Sequence, residues 1–192
     1  SEFGSQLVKM DVSSYLQGEN ASSQNVGVYL GTHSQVLDVD VRAIHTHPHT
    51  KSHLLARGVL NDSAKNVYKG LIKMIKEAKG SVGNQRADVL VLSPQAEADP
   101  VPALEIEGSD VRCSHAATVG RLDKEKLFYL VSRGLDEETA RSVYIHGFLE
   151  YVVNRFPSLE LVSACRSLLE KRLNLPLIYE KSYFPFEIGV MT

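Results

Sequence analysis

Between residues 26 and 115 the chain breaks into short apolar or alternating runs, and no helical pattern separates most of them. Near residue 122 the period changes to that of helices. This is the strongest constraint on the fold, because it asks for a mainly β body followed by a helical one. The clearest runs are residues 26–30, 36–44, 54–60, 88–92 and 104–107. Gly31-Thr32, Asn61-Asp62, the stretch 80–84, Ser93-Pro94 and Gly108 interrupt them. Valine-rich runs of about 4–8 residues between such breakers are the signature of strands. Residues 36–41 alternate as a half-buried strand does. Without intervening helices a βαβ sheet is not expected, and a sandwich, a barrel and a coiled β-solenoid all stay open.

One segment reads two ways. Val67, Leu71, Ile75 and Ala78 fall at helical spacing with lysines on the other faces, yet residues 67–75 also alternate as a strand with lysines outward. Local propensity favours the helix.

From Asp123 onward the reading is helical. Asp123 caps a first helix that runs to Ser132 and stops at Gly134, the usual left-handed C-terminal position. Asp136 caps a second, with Glu137 and Glu138 in its first turn, where carboxylates suit the positive end of the helix dipole. Its expected apolar stripe is Ala140, Val143, Tyr144, Phe148, Tyr151 and Val152. Pro157 and Ser158 open a third, with Leu161, Val162, Cys165, Leu168 and Leu169 inward. The tail over 177–192 gives no pattern, and residues 1–5 read as a cloning remnant. The division is therefore 1–5, a β core over 6–121, and a helical part over 122–192.

Composition narrows the function classes. Of 192 residues, 21 are basic and 23 acidic, a net charge of −2. That balance argues against a nucleic-acid binder. No apolar run approaches the roughly 18–20 residues of a membrane span, and no leader peptide is visible. The only two cysteines, Cys113 and Cys165, fit no secreted disulfide framework. A cytoplasmic protein is expected.

Two clusters could carry chemistry. On a strand His45, His47 and His49 share a face, so three imidazoles could converge on zinc or iron as in a cupin-like metal site. No acid follows until Asp62, and Pro48 disturbs the strand. The residues themselves favour a solvated, histidine-lined strand end or turn. The second cluster is Cys113-Ser114-His115, where Cys113 and His115 share a face and could act as paired ligands. Cys113 alone reads as a small buried hydrophobe. The chain has no phosphate-binding Gly-x-x-x-x-Gly-Lys loop, so it does not itself look like a nucleotide hydrolase, and it has neither a Gly-x-Ser-x-Gly elbow nor a His-Glu-x-x-His helix. A cupin-like metal protein using residues 45–53 stays open beside the non-enzymatic role that the resemblance below implies.

Read together, several of these residues resemble a known family. The stretch 102–107 (PALEIE), then 110–120 (DVRCSHAATVG), Leu127-Phe128-Tyr129-Leu130, Ser132-Arg133-Gly134 and Gly147-Phe148 are similar to the signature of the SufB/SufD proteins. Upstream His45, His49, Thr50, Ser52, residues 57–60 and Tyr68-Lys69-Gly70 fit in order. The similarity covers roughly residues 40–155. It implies a parallel β-helix (solenoid) core followed by a small α-helical domain, in which residues 67–75 become a strand against local propensity. It implies a scaffold subunit of the Suf iron–sulfur cluster assembly system that docks the SufC ATPase through the helical part and pairs with another scaffold through the β-helix.

The resemblance also assigns roles. SufB carries a cysteine where this chain has Leu130, so the chain is SufD-like. His115, in its Cys113 context, matches the SufD histidine implicated in assembly at the subunit interface. Leu127, Phe128, Tyr129, Arg133, Gly134 and Phe148 are the candidates for partner binding. An iron–sulfur cluster would be transient and shared with a SufB-type partner, with none expected on the isolated chain. Full-length members are longer, so a truncated piece or a short paralogue is expected. Its first turn would expose a strand edge that edge pairing in a homodimer could cover.

Overall fold

The alternation of residues 36–45 sends Leu37, Val39, Val41, Ala43 and His45 to one buried side of a strand. In the computed structural model, which describes residues 5–173, that side is the inside of a coil. Eight strands wind through four coils: β1 (Leu7–Leu16), β2 (Ser22–Gly31), β3 (Val36–His45), β4 (Lys51–Leu60), β5 (Lys65–Met74), β6 (Ser81–Val91), β7 (Glu97–Ile106) and β8 (Val111–Arg121). All neighbours are parallel, in two four-stranded sheets ordered β1-β3-β5-β7 and β2-β4-β6-β8. Leu7 pairs with Val36 and Val36 with Lys65, a step of 29 residues. Each residue thus stacks on its counterpart one coil away. The protein is a parallel β-solenoid, as the resemblance implied.

The corners explain how the register is kept. Asn20, His49 and Gly80 have φ of 62, 59 and 68°, and His33 and Asp62 have φ of 56 and 53°. These left-handed residues turn the chain from one sheet to the other. They also stack: the Asn20 amide donates to the Pro48 carbonyl at 3.2 Å, His49 to Lys79 at 2.8 Å and Gly80 to Asp110 at 2.6 Å.

Residues 67–75 fall within and just after β5, with Asn66, Tyr68, Gly70, Ile72 and Met74 buried inside and Lys65, Lys69 and Lys73 facing outward. Helix preference differs among ordinary residues by less than about 1 kcal/mol each. As a strand the segment instead pairs with β3 on one side and β7 on the other, and it buries five residues in the solenoid. The outward lysines meet carboxylates on neighbouring coils: Lys69 with Asp38 at 2.9 Å, Lys65 with Glu97 at 2.9 Å and Lys73 with Glu105 at 3.1 Å. Such exposed pairs contribute about 0–1 kcal/mol each and fix register more than stability. Most strands run beyond the sequence expectation, and β1 lies wholly before the first expected run. The expected break at 80–84 is mostly strand, since β6 starts at Ser81. Pro100 and Pro102 sit within β7, which tolerates them as the outermost strand of its sheet.

Three helices follow: α1 (Lys124–Ser132), α2 (Glu137–Val153) and α3 (Leu159–Leu173). The Asp123 carboxylate accepts from the amides of Glu125 and Lys126, and Asp136 accepts from that of Thr139. Gly134 ends α1 at φ 97°. Helix α2 lies on the outer face of the β2-β4-β6-β8 sheet, where Ile145, Leu149 and Val153 join Val59, Leu90, Val162 and Leu169 in one apolar cluster.

This corrects the expected stripes. The buried face of α2 runs through Ala140, Ile145, Leu149, Val152 and Val153, whereas Val143, Tyr144 and Phe148 are half-buried and Tyr151 is exposed. On α3, Val162 and Leu169 are buried, but Leu161 and Leu168 face solvent. The aromatic residues flank the interface because they hold an arginine. The Arg57 guanidinium lies 4.7 Å from the Phe148 ring centre and 4.2 Å from that of Tyr151, donates to the Phe148 carbonyl, and sits 3.4 Å from Asp88. The expectation of an irregular tail over 177–192 lies outside the described residues.

Candidate site on the last coil

Inside the solenoid a side chain on one coil is covered by its counterpart on the next. On β8 that cover ends among the described residues. Its inner face continues the columns of β6: Cys113 pairs with Gly83, His115 with Gln85, Ala117 with Ala87 and Val119 with Val89. The four β6 residues are buried, while His115, Ala117 and Val119 are exposed and Cys113 is half-buried. The pleat therefore places Cys113 and His115 on the same face, two residues apart, on an edge strand.

The two groups differ in chemistry. The Cys113 thiol donates toward the Met74 sulfur at 3.4 Å. Burial pushes its pKa up, only partly offset by a hydrogen bond with the Gly83 backbone. At neutral pH it is a thiol, which binds a soft metal only by releasing its proton. His115 makes no hydrogen bond among the described residues and keeps both ring nitrogens available. One thiol and one imidazole are too few for an iron–sulfur cluster, which is held by about four protein ligands.

The other histidine candidates are dispersed. His45 is fully buried on the inner face of β3, with Nδ1 2.7 Å from the Thr50 hydroxyl and Nε2 2.7 Å from that of Ser52. Thr50 in turn meets Ser81 at 2.8 Å. Burial lowers the His45 pKa to about 4, so the ring is neutral and serves the packing of the core. His47 is exposed at the turn, and His49 is a left-handed corner residue whose ring packs on Gly80. The strand ends at His45, so the three imidazoles do not share a face. No group of three His, Cys, Asp or Glu side chains that could hold a metal occurs among the described residues.

The partner-binding candidates also divide. Phe128 is 75% exposed and Tyr129 56%, with Val131 uncovered beside them. Arg133 lies 5.3 Å from the centre of the Tyr129 ring and donates to its hydroxyl at 3.3 Å. Leu127 is half-buried. Gly134 is accounted for by its turn, and Phe148 by Arg57. Two further residues prove structurally prominent, Arg57 from the 57–60 stretch that carries part of the resemblance and Gln85, which sequence reading did not single out. Arg57 fastens α2 to the solenoid, and Gln85 lies buried under His115. Nothing in the local pattern shows either role, because both arise from the way coils and helix stack.

The fold and the edge-strand donors define a parallel β-solenoid with a helical cluster docked on one outer face. The family model for the SufBD core domain of the SUF system of iron–sulfur cluster assembly matches residues 1–148, and the chain belongs to that family. It is 31% identical over 154 residues to an iron–sulfur cluster assembly SufBD family protein of Staphylococcus saprophyticus, covering 80% of this chain and 33% of that one. SufBD family proteins of Staphylococcus epidermidis and Staphylococcus haemolyticus match at 30% identity with the same coverage. The chain thus spans about a third of the length of these curated relatives. No helix among the described residues is long and apolar enough to cross a membrane.

Proposed function

We propose that the chain is a SufD-like, non-enzymatic scaffold component of cytoplasmic iron–sulfur cluster assembly. It offers His115, with Cys113 beside it, to a cluster whose remaining ligands come from a SufB-type partner. The observation that carries this reading is the exposed inner face of β8, where the donor pair emerges on a strand edge that no other described strand covers. An edge of this kind is a template for a partner strand. A partner pairing there would bring its own side chains over the same columns, so that ligands from two chains converge on one site. The cluster is cargo in this scheme, assembled and passed on. In isolation the same edge, or that of β1, pairs two copies in a homodimer.

The helical part supports the second half of the proposal. Phe128, Tyr129, Val131 and Arg133 form an uncovered aromatic and cationic face on α1, directly after β8. Aromatic and arginine side chains are the ones most enriched at binding hot spots. A SufC-type ATPase docked there would act close to the edge strand.

The test is reconstitution with the SufB-type and SufC-type partners. His115→Ala is expected to abolish cluster formation while leaving the complex intact by size-exclusion chromatography. Phe128→Ala with Tyr129→Ala is expected to lose co-purification of the ATPase. Normal cluster yield from the His115 variant would overturn the site, and retained ATPase would overturn the docking face.

A further inference from the structure

Gln85 is the most unusual polar residue in the solenoid. It is 3% exposed, and neither its amide nitrogen nor its carbonyl oxygen has a hydrogen-bond partner among the described residues. The side chain reaches across the coil onto Gly70, where a Cβ would lie 2.0 Å from the amide nitrogen. Gly70 therefore keeps open the space that the glutamine fills. Leaving a buried amide unpaired costs about 1–3 kcal/mol per group, whereas an apolar residue of similar shape would be neutral or better. Packing alone gives no reason for a glutamine here.

The register narrows what can satisfy it. In the preceding coil Gln85 faces Leu54, and Gly70 faces Val41; in the following coil Gly70 faces Pro102 and Gln85 faces His115. The leucine, the valine and the proline offer no side-chain hydrogen bond. His115 alone does, one strand spacing of about 4.8 Å away on the same face, with its ring unpartnered. We propose that Gln85 is a positioning residue for His115. Its amide takes one ring nitrogen when the imidazole turns inward, fixing the tautomer and aiming the other nitrogen outward over the edge. Metal-binding histidines almost always have their second nitrogen held in this way. The use of that outward nitrogen for a metal rests on the function proposed above; the pairing itself does not.

The test needs no partner protein. Long-range proton–nitrogen NMR spectra of the 15N-labelled chain, recorded well above the ordinary histidine pKa of about 6.5, report the tautomer of His115. A His115→Gln variant assigns the signal. In the wild-type chain His115 is expected to show one dominant tautomer, with two widely separated nitrogen shifts. In Gln85→Met, which keeps the volume over Gly70 and removes both polar groups, the shifts are expected to converge toward those of a free imidazole. The same variant is expected to unfold at an equal or higher temperature. A wild-type His115 that already shows free-imidazole shifts overturns the pairing, and this measurement holds even if the variant fails to fold. Unchanged shifts in a folded Gln85→Met chain overturn it as well. If the pairing stands but His115→Ala still assembles clusters, the functional reading falls and the pairing survives.

Discussion

His45 and His115 both lie on the inner face of the same solenoid, and they differ in what the next coil does. Above His45 the stack continues, so its ring is enclosed, bonded through both nitrogens to Thr50 and Ser52, and held neutral. Above His115 no further coil covers the strand among the described residues, and the ring is exposed with both nitrogens unused. The residue type is the same and the face is the same. In a stacked fold a polar inner-face residue is structural in the middle and chemically available at an end.

Truncation separates the two regions most sharply. Ile72→Ala, at a fully buried position in the third coil, is expected to cost about 2–5 kcal/mol by loss of transfer energy and creation of a cavity. Val119→Ala, on the same inner side but 48% exposed, should stay within about 0.5 kcal/mol. Urea unfolding midpoints of the two variants measure the contrast, and equal losses would show that the last coil is as well packed as the third.

Acid gives the next effect. The His45 pKa is lowered to about 4 in the fold against about 6.5 in the unfolded chain. Between these values the unfolded state binds the additional proton. The stability from a neutral buried His45 is thus complete above about pH 6.5 and is lost as the pH falls toward 4, by about 3 kcal/mol. His45→Gln, which hydrogen-bonds without titrating, should flatten this part of the pH profile of unfolding. An unflattened profile would move the origin of the acid sensitivity elsewhere. His146, whose pKa burial also lowers, provides the background slope common to both proteins.

Smaller effects belong to the helices. Asp136→Ala removes the carboxylate that accepts from the Thr139 amide and should cost about 1 kcal/mol. The loss should appear first in hydrogen exchange of α2. Phe128→Ala should change stability by less than about 0.5 kcal/mol, because a side chain that exposed has little packing to lose. A larger loss would show that α1 is held by that ring and does not present it.

Much of the fold was legible in the sequence because each strand carries its own alternation. The 36–45 strand and the caps at Asp123 and Asp136 follow from local chemistry alone. Segment 67–75 did not, since lysines at every fourth position suit a helix face and a strand face equally, and only pairing with two neighbours decides between them. The prolines in β7 hid its first part, before the expected run at 104–107, because proline is permitted only at a sheet edge, which is a fact about assembly. At the candidate site, Cys113 and His115 were visible as a motif on one strand face. The residues around Pro48 already favoured a strand end or turn over a metal site, but nothing local shows that Asn20, His49 and Gly80 occupy equivalent stacked turns. Gln85 was invisible for the same reason, its partner lying 30 residues away in sequence and one rung away in space.

The corner ladder has a consequence for how such a chain can vary in length. Leu7 to Val36 is a step of 29 residues, whereas Lys65 to Glu97 is a step of 32, yet the strands stay in register. The extra residues are absorbed between strands, as at 75–80, where the chain bulges before Gly80 resets the turn. A strand has no such tolerance, since slipping by one residue would turn every inner side chain outward. The solenoid therefore behaves as a ruler marked in whole coils with elastic corners. Insertions at the corners shift nothing, whole coils add reach, and a single residue gained inside a strand scrambles every mark beyond it.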